Sequence, residues 1–230
     1  MSYIIWNNKD SRSVNGLIIC ELPPISKPKM RVKETVIDGV DGSIIEELGY
    51  ESYNKTIAIG LGIGADIDKV TEYFTGNGDV IFSNEPDKLY RARIINGIDY
   101  SRLLRFKVAK VTFRVEPFKY DADELEVYNV SGNSMTVSNI GNYTAKPLIT
   151  IKGTGTVKLS INGIWVCDYT FPDSDDTVIL DSEKQDAYAG DALKNRNMVG
   201  DFPILAKGTN VVTWVGTVNR ISIARYSRWL

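Results

Sequence analysis

The sequence predicts a mainly β protein that consists of two β-domains, the first of which contains one short helix. Apolar residues recur at every second position along most of the chain, as at Val157, Leu159 and Ile161, and this period is typical of strands with one buried face. The pair Asn162-Gly163 separates two such alternating runs, which indicates a tight hairpin turn. Only one segment has apolar residues at helical spacing, so a parallel α/β fold is disfavoured.

The clearest strand of the first half lies around residues 53–61. One of its faces carries Tyr53, Lys55, Ile57, Ile59 and Leu61. A second strand, around residues 103–116, changes phase, because its apolar residues stand at even positions up to Val108 and at odd positions from Val111 onwards. A one-residue slip sends side chains to the opposite face, so we expect a β-bulge near Ala109-Lys110 that keeps one face buried. A long strand shared by two packed sheets is the alternative.

The only predicted helix covers residues 66–75. Ile67, Val70, Tyr73 and Phe74 recur there at the spacing of one helical face. Asp66 can act as the N-cap, and Gly76 suits the residue that follows the helix. The helix is expected to lie against an otherwise β protein.

A segment rich in Asn, Ser and Gly, residues 128–143, divides the chain near its middle. Such residues favour turns and loops, and strand-like runs lie on both sides. We therefore predict one domain over residues 1–130 and a second over residues 131–230. Two further strands are predicted at residues 211–215 and 221–226, and the sequence leaves open whether the last strand returns to the first domain.

Charge and residue types exclude several classes of function. The chain has 27 basic and 29 acidic side chains and no histidine. The lack of histidine excludes Ser-His-Asp and Cys-His catalysis, histidine-ligated metal sites and histidine-based pH switches. A formal charge of -2 and a pI near 5.4 argue against a nucleic-acid or membrane-surface binder that works by bulk charge. No cofactor is expected.

Cysteine usage and the N-terminus predict a soluble protein inside the cell that makes it. Cys20 and Cys167 lie in apolar, strand-like stretches and form no CxxC pair, so two buried free thiols are favoured over a disulfide. The N-terminus lacks the basic and long apolar regions of a secretory signal. The longest uncharged apolar run nearby, residues 57–65, is far shorter than the ~20 residues that span a bilayer.

Three motifs suggest chemistry, but an ordinary structural role is favoured for each. The GxGxG segment at residues 60–64 differs from the GxGxxG spacing of dinucleotide-binding loops. The acidic segment Asp-Ser-Asp-Asp at residues 173–176 lacks the further ligands of an EF-hand calcium loop. Paired carboxylates such as Glu46-Glu47 can hydrolyse glycosides, but nothing in the sequence brings any such pair to the required separation.

Three aromatic residues of the second half support an alternative interpretation. Trp165, Tyr169 and Trp214 lie in predicted strands, and aromatic rings on the face of a β-sandwich can stack on sugar rings. Such rings also fill sandwich cores, and that role is favoured. A carbohydrate-binding β-sandwich that contacts host cell-wall or surface glycans therefore stays open as the alternative function.

Both halves contain a series of short turn and strand motifs whose order and spacing are informative. In the first half they are residues 14–16 (Val-Asn-Gly), 23–24 (Pro-Pro), 37–42 (Ile-Asp-Gly-Val-Asp-Gly), 73–76, 80–83, 86–93 and 106–118. In the second half they are residues 139–142, 146–151, 153–155, 162–163, 179–183, 186–188, 200–205, 208–214 and 220–226. Together they resemble the distal tail protein (Dit) family of long-tailed bacteriophages. Asp38 and Val40 depart from the Pro-Gly-Arg-Asp-Gly turn of that family.

The resemblance implies both an architecture and a function. It implies a tail-tube-like β-sandwich or barrel with a helix at about residues 66–75 and a hairpin arm at about residues 33–53, followed by a galectin-like β-sandwich. The implied assembly is a homo-hexameric ring at the tip of the virion tail. This ring joins the tail tube protein to the tail-associated fibre or lysin protein and offers a dock for receptor-binding proteins. The role needs no catalysis, no nucleic-acid contact and no membrane insertion.

Residues 33–53 form the candidate arm between subunits, because they read as a strand pair around a loop that contains glycine and acidic residues. A ring subunit needs exposed strand edges that pair with neighbours, and a cyclic assembly repeats one heterologous contact until it closes. The candidate interface residues are Asp38, Asp41, Glu46, Glu47 and Tyr50. For the two glutamates, an ordinary solvated loop is the alternative.

Overall fold

The structure is a computed structural model, and it describes residues 2–39, 41–98, 108–123, 126–129, 132–172 and 176–230. By its internal contacts the chain divides into two compact units. The first comprises Met1–Ala122 together with Leu230, and the second comprises Asp123–Trp229. Each unit encloses its own hydrophobic core between strands. The prediction of a mainly β fold is confirmed.

The first unit is built on one antiparallel sheet and a separate hairpin. Its elements are β1 (Ile4–Trp6), β2 (Lys9–Asp10), a 3₁₀ turn (Ser11–Ser13), β3 (Leu17–Glu21), β4 (Met30–Val36), β5 (Ser43–Tyr50), β6 (Tyr53–Leu61), α1 (Ile67–Tyr73), β7 (Asn77–Phe82), β8 (Lys88–Ile94) and β9 (Val108–Asp121). The sheet has the strand order β2-β1-β7-β8-β9-β6-β3, and β4 pairs only with β5 among the described strands. The hairpin β4–β5 therefore stands apart from the sheet.

Aromatic rings fill the centre of the first core. The ring of Phe113 on β9 lies 5.3 Å from that of Trp6, 5.7 Å from that of Phe82 and 6.4 Å from that of Phe74. All three contacts are edge-to-face, which is a preferred geometry for aromatic pairs. The strand predicted around residues 53–61 is confirmed as β6, and Ile57 and Ile59 are fully buried. Ala58 and Gly60 are buried as well, so both faces of this strand are covered at its centre.

The predicted helix is confirmed as α1, and among the described residues it is the only α-helix. The carboxylate of Asp66 accepts hydrogen bonds from the backbone N–H groups of Asp68 and Lys69, at 3.0 and 3.3 Å, as an N-cap does. Val70 and Tyr73 turn inwards and are buried. The helix therefore closes one side of the first core.

The β-bulge expected near Ala109-Lys110 is not found there. These residues pair in regular register with Ile59 and Ala58 on β6. The irregularity lies instead on the β8 side of β9, where Tyr90 pairs with Lys119 but Ala92 pairs with Val115. The prediction was wrong because Val108 is exposed and Ala109 and Val111 are buried, so the alternation keeps its phase through this part of β9. Residues 104–107 lie outside the described residues.

The second unit is a curled antiparallel sheet. Its elements are β10 (Glu126–Asn129), β11 (Ser134–Asn139), β12 (Leu148–Ile161), β13 (Ile164–Thr170), β14 (Thr177–Asp181), β15 (Asp186–Ala189), β16 (Ala192–Leu193), a 3₁₀ turn (Asn195–Asn197), β17 (Met198–Gly200) and β18 (Gly208–Ala224). The short strand β19 (Arg228–Trp229) follows β18 in the chain and is not part of this sheet. One part of the sheet has the order β10-β18-β12-β14-β15-β16. In the other part, β11 pairs with β18, and β13 pairs with β12 and β17.

Two long strands, β12 and β18, belong to both parts of this sheet. The first half of β18 pairs with β11 and with the end of β12, whereas its second half pairs with β10 and the start of β12. The two strands predicted at residues 211–215 and 221–226 are thus one continuous strand. Its buried side chains change phase between Trp214 and Ile221, across a register shift opposite β12, so both halves face one core.

The hairpin turn between β12 and β13 is confirmed. Asn162 has φ 53° and Gly163 has φ 79°, and the residues on either side, Ile161 and Ile164, are paired. Positive φ at both central residues is what a type I′ turn requires, and it is the reason for the Asn-Gly sequence.

Both cysteines are free thiols, as predicted, but only one of them is buried. Cys167 lies in the second core, where burial raises the pKa of its thiol to about 12. Cys20 is exposed near the end of β3, because alternation places Ile19 inwards and its neighbour outwards. In the described part of the chain, no helix is long and apolar enough to cross a bilayer.

Candidate functional site

The most exposed element of the first unit is the hairpin β4–β5. We call β4, β5 and the loop between them the arm, residues 30–50. The two strands pair in antiparallel register, with Val36 opposite Ser43 and Lys33 opposite Glu46. All described residues of the arm are exposed except the half-buried Met30 and Tyr50 at its base.

Large aliphatic side chains are exposed along the arm. Val32, Val36, Ile37, Ile44, Ile45 and Leu48 keep between 46% and 70% of their surface accessible. The register places Val32, Val36 and Ile45 on one face and Ile44 on the other. Contiguous exposed apolar surface of this kind marks sites of protein contact, and here it occurs on both faces of a two-stranded element.

The arm also carries an excess of negative charge, with five acidic and two basic side chains over residues 30–50. Glu46 pairs with Lys33 at 3.6 Å, and Glu34 accepts a hydrogen bond of 2.6 Å from the Ser43 hydroxyl. Asp38 and Asp41 lie in the loop, and Glu47 lies opposite Val32. Four of the five predicted interface residues are therefore exposed acidic groups on one element.

The fifth predicted residue, Tyr50, has a different position. Its ring packs edge-to-face against Phe118 of β9, with 5.9 Å between ring centroids. The ammonium group of Lys27 lies 6.0 Å from the Tyr50 ring, and the N–H of Glu51 donates to the carbonyl of Lys29 at 2.8 Å. Tyr50 thus fixes the base of the arm to its own unit, where a tyrosine ring supplies apolar area.

A buried charged cluster holds the segment that leads into the arm. Lys55 is only 2% exposed, and its ammonium donates to the carbonyl of Pro24 at 2.9 Å. It also lies 4.8 Å from the centre of the Tyr90 ring, within the range of a cation–π interaction. Glu85 accepts hydrogen bonds from the Tyr90 hydroxyl and the Lys119 ammonium. The sequence pattern puts Lys55 on the same strand face as Ile57, but it does not indicate the partners.

Burial shifts the pKa values of several groups in and beside this cluster. Desolvation lowers the pKa of Lys55 from 10.5 to about 8, although the charge of Glu85 opposes the shift. Desolvation also raises the pKa of Tyr53 to about 12. The pKa of Tyr90 rises further, through burial and its hydrogen bond to Glu85. Lys55 therefore keeps its proton at neutral pH at a cost in folding free energy.

Two of the three proposed sugar-stacking residues are core residues. Tyr169 is 1% exposed and Trp214 is 4% exposed, so neither ring presents a face to a ligand. This part of the carbohydrate hypothesis was wrong, because both side chains lie on the inward face of their strands. Trp165 is 52% exposed, and its indole N–H donates to Asp168 at 2.7 Å.

The remaining motifs have structural roles where they are described. The GxGxG loop is held by the N–H of Gly62, which donates to the Gly16 carbonyl at 2.8 Å, and by the Asn15 amide, which donates to the Gly64 carbonyl at 2.9 Å. Of the acidic segment, residues 173–175 lie outside the described residues, and Asp176 pairs with Lys152 at 3.0 Å. Over the described residues, no group of acidic or cysteine side chains is suited to a metal ion.

Comparison with known proteins identifies the fold. No protein-family model and no curated protein matches the chain. Among solved structures it is similar to the Dit protein of phage SPP1, described as a paradigm of the hub adsorption apparatus in phages that infect Gram-positive bacteria. The TM-score is 0.72 at 15% sequence identity, and each chain is covered over 100% of its length.

A second similar structure is a chain of the phage p2 baseplate in its activated conformation. Its TM-score is 0.51 at 7% identity, with 96% of each chain covered. At these identities the likeness concerns the fold. The Dit-like fold implied by the sequence motifs is thereby confirmed over the whole chain.

Proposed function

We propose that this protein is a structural hub at the distal end of a long-tailed phage tail, or of a related tail-like particle. The observation that carries the proposal is the full-length similarity of its fold to a phage hub protein, at a TM-score of 0.72. The similarity covers both units of the chain. It therefore supports a shared role of the whole protein, and not only the reuse of one domain in a different protein.

In this proposal six copies form a closed ring. The ring joins the tail tube protein on one side to the tail-associated fibre or lysin protein on the other, and it provides a dock for receptor-binding proteins. The first unit corresponds to a tail-tube-like domain and the second to a galectin-like sandwich. The protein acts by geometry, as part of the virion tail tip, and not as an enzyme.

The exposed arm supports a ring. A two-stranded hairpin is marginally stable by itself in water, and this one exposes apolar side chains on both faces. Contact with a neighbouring copy would bury these side chains and use the free strand edges. The arm and the surface that binds it on the neighbouring copy are different parts of the chain. The contact is therefore heterologous and repeats until the ring closes.

The mass of the assembled protein tests this proposal. We expect multi-angle light scattering over a series of concentrations to show a ring-sized species, and negative-stain microscopy to show rings. Reversal of charge at two predicted interface residues, Glu46→Lys with Glu47→Lys, should weaken assembly, because it places positive charge on the acidic arm. The exposed Asp191 of the second unit provides a control of the same chemistry, Asp191→Lys.

The outcomes separate the protein's role from the arm's role. A chain that stays monomeric at every concentration, and that is missing from purified tail particles, would contradict the hub proposal. Rings of normal yield from the Glu46→Lys/Glu47→Lys variant would contradict the assignment of the arm. Carbohydrate binding is not proposed, because two of the three candidate rings are buried.

A further inference from the structure

A row of polar side chains crosses four strands on the outer face of the first sheet. Strand register places Asn77 of β7 opposite Arg93 of β8, Arg93 opposite Arg114 of β9, and Arg114 opposite Asn54 of β6. Directly opposite residues in an antiparallel sheet share a face. The face points away from the core, because Arg93 and Arg114 are exposed whereas the residues next to them face inwards. We call it the arginine face.

The two central arginines of this row lack an acidic partner on their own sheet. Like charges at directly opposite positions of an antiparallel pair are destabilising, and only asparagines flank the pair. Arg114 donates to the Asn54 side-chain oxygen at 3.3 Å. Within the described part of the chain, the side chain of Arg93 has no hydrogen bond or ion pair. The row therefore offers guanidinium donors that a carboxylate from outside would satisfy.

In the neighbouring row of the same face, the arginine has acidic partners. Arg91 lies opposite Asp79 on β7, its guanidinium is 3.9 Å from the Glu116 carboxylate, and it stacks 4.2 Å from the Tyr120 ring centre. Acidic side chains of the same sheet thus match Arg91. The unmatched positive charge is concentrated at Arg93 and Arg114.

The arginine face is also concave. A cavity of 380 Å³ opens on it, and its charged lining residues are Asp79, Arg91, Arg93, Arg114 and Glu116. The two carboxylates belong to the row of Arg91, so among the described residues Arg93 and Arg114 remain without an ion pair in it. A protruding element with carboxylate side chains can therefore approach both guanidinium groups.

We propose that the arginine face receives the acidic arm of a second copy of this chain, an inference that rests on the proposed ring. The register of the arm places Glu34 opposite Ile45 and Glu47 opposite Val32. Glu34 and Glu47 are therefore diagonal neighbours on one face, about 7–8 Å apart at the backbone. Charge complementarity selects this occupant, because the arm has five acidic and two basic side chains and Arg–carboxylate pairs are well suited to recognition.

The face of the arm that carries Glu34 and Glu47 also carries exposed apolar side chains, so the contact would have an apolar as well as an electrostatic part. Val32, Val36 and Ile45 accompany Glu34 and Glu47 on that face and are at least half exposed. Burial of these side chains supplies affinity, and the charge pairs supply register and partner choice. Glu46 lies on the opposite face and is already paired with Lys33, so it is not expected to take part.

The first test separates assembly from folding with one substitution, Arg93→Glu. In the wild type two arginines, Arg93 and Arg114, lie opposite each other; in the variant a glutamate lies opposite Arg114. Because repulsion is replaced by attraction, we expect the melting temperature of the variant to rise. We expect the midpoint concentration of ring assembly, from light scattering, to increase about tenfold or more, because the new carboxylate repels the acidic arm. Lys207→Glu, an exposed position of the second unit, makes the same charge change and should assemble like the wild type.

The second test identifies the occupant. Glu47→Lys should weaken assembly to a similar degree, and the combined variant Arg93→Glu/Glu47→Lys should recover a large part of the loss, because attraction between the two positions returns. Glu46→Gln serves as a matched arm control and should assemble normally.

Each outcome decides a different point. If wild type forms rings and Arg93→Glu forms them equally well, the inference is overturned while the hub proposal stands. If both single variants weaken assembly but the combined variant shows no recovery, the arm is not what the arginine face receives. A wild-type chain that forms no ring by itself and is missing from purified tail particles overturns the hub proposal and this inference with it.

Discussion

At the scale of single residues, Lys55 shows how a polar group can be essential to the position of a distant element. The ammonium group is buried among aromatic rings and donates to the carbonyl of Pro24. The amide of Asn84 similarly donates to the carbonyl of Pro23 at 2.9 Å. One side chain from β6 and one from the turn between β7 and β8 thus hold the chain segment that precedes the arm.

Lys55 should give the stability of the protein an unusual dependence on pH. Its pKa is about 8 in the folded chain, below the usual 10.5, so the unfolded chain binds more protons between these values. The free energy of unfolding should therefore rise with pH in that window, by roughly 2 kcal/mol between about pH 7 and pH 9.5. Urea unfolding at these two pH values measures the change.

The variant Lys55→Met is the control for this prediction. Tyr53 and Tyr90 have raised pKa values, so their contribution to stability is present below about pH 10 and is lost as the pH rises above it. Both tyrosines remain in Lys55→Met and titrate mainly above pH 9.5, so the difference between the two proteins from pH 7 to pH 9.5 reports on Lys55. Equal pH dependence in both proteins would show that Lys55 is not a buried cation.

Trp165 shows why the exposure of a single residue was not predictable. Trp165 lies two residues before Cys167 and four before Tyr169 on β13, and both of these are buried. Simple alternation would therefore bury Trp165 with them. Ser160 pairs with Trp165 but Leu159 pairs with Cys167, so a bulge adds one residue between them. The extra residue turns Trp165 outwards. Alternation alone cannot reveal such a bulge, because it depends on pairing with a partner strand.

At the scale of elements, the bend of the second sheet depends on β12 and β18. Gly216 lies in β18 at φ 126°, and a Cβ there would be 2.4 Å from the carbonyl oxygen of Thr156. Only glycine allows the two strands to approach so closely with this backbone conformation. The position marks the register shift by which one strand serves both halves of the sheet.

Gly216→Ala should therefore destabilise the second unit. We expect the loss in free energy of unfolding to exceed that of Gly208→Ala by about 2 kcal/mol. Gly208 is a matched control, because it has φ 85° in the same strand and a Cβ added there would meet no atom within 4 Å. Chemical denaturation followed by tryptophan fluorescence measures both variants, and equal losses would contradict the role of the close approach.

The arm illustrates what was predictable at this scale. A strand pair around residues 33–53 followed from two β-like runs about a glycine-containing loop, and the structure has β4 and β5 there. The role of Tyr50 was not apparent, because its partner Phe118 is distant in sequence. Arg93 and Arg114 were missed altogether, since nothing in the sequence shows that the two stand opposite each other.

At the scale of the whole molecule, folding and assembly should be separable. Neither core includes a described residue of the arm. If residues 31–49 are replaced by Asn-Gly, a two-residue turn can join the paired residues Met30 and Tyr50. We expect this variant to keep a cooperative thermal transition close to that of the wild type.

The same shortened variant should not assemble. Light scattering should give the mass of a single chain at concentrations where the full chain forms rings. Ring formation by the shortened chain would show that other surfaces hold the copies together. Loss of the thermal transition would show instead that the arm is part of the folded core, contrary to its exposure.

The sequence by itself determined the strand-rich fold, the helix with its Asp66 cap, the Asn162-Gly163 turn and the order of motifs shared with the Dit family. These features are local, because they follow from alternation, capping and turn chemistry within a few residues. Only the tertiary structure decided which strands pair, where bulges turn Trp165 outwards, and that Arg93 faces Arg114. The physical reason is that register between strands distant in sequence is set by the packing of the cores they enclose.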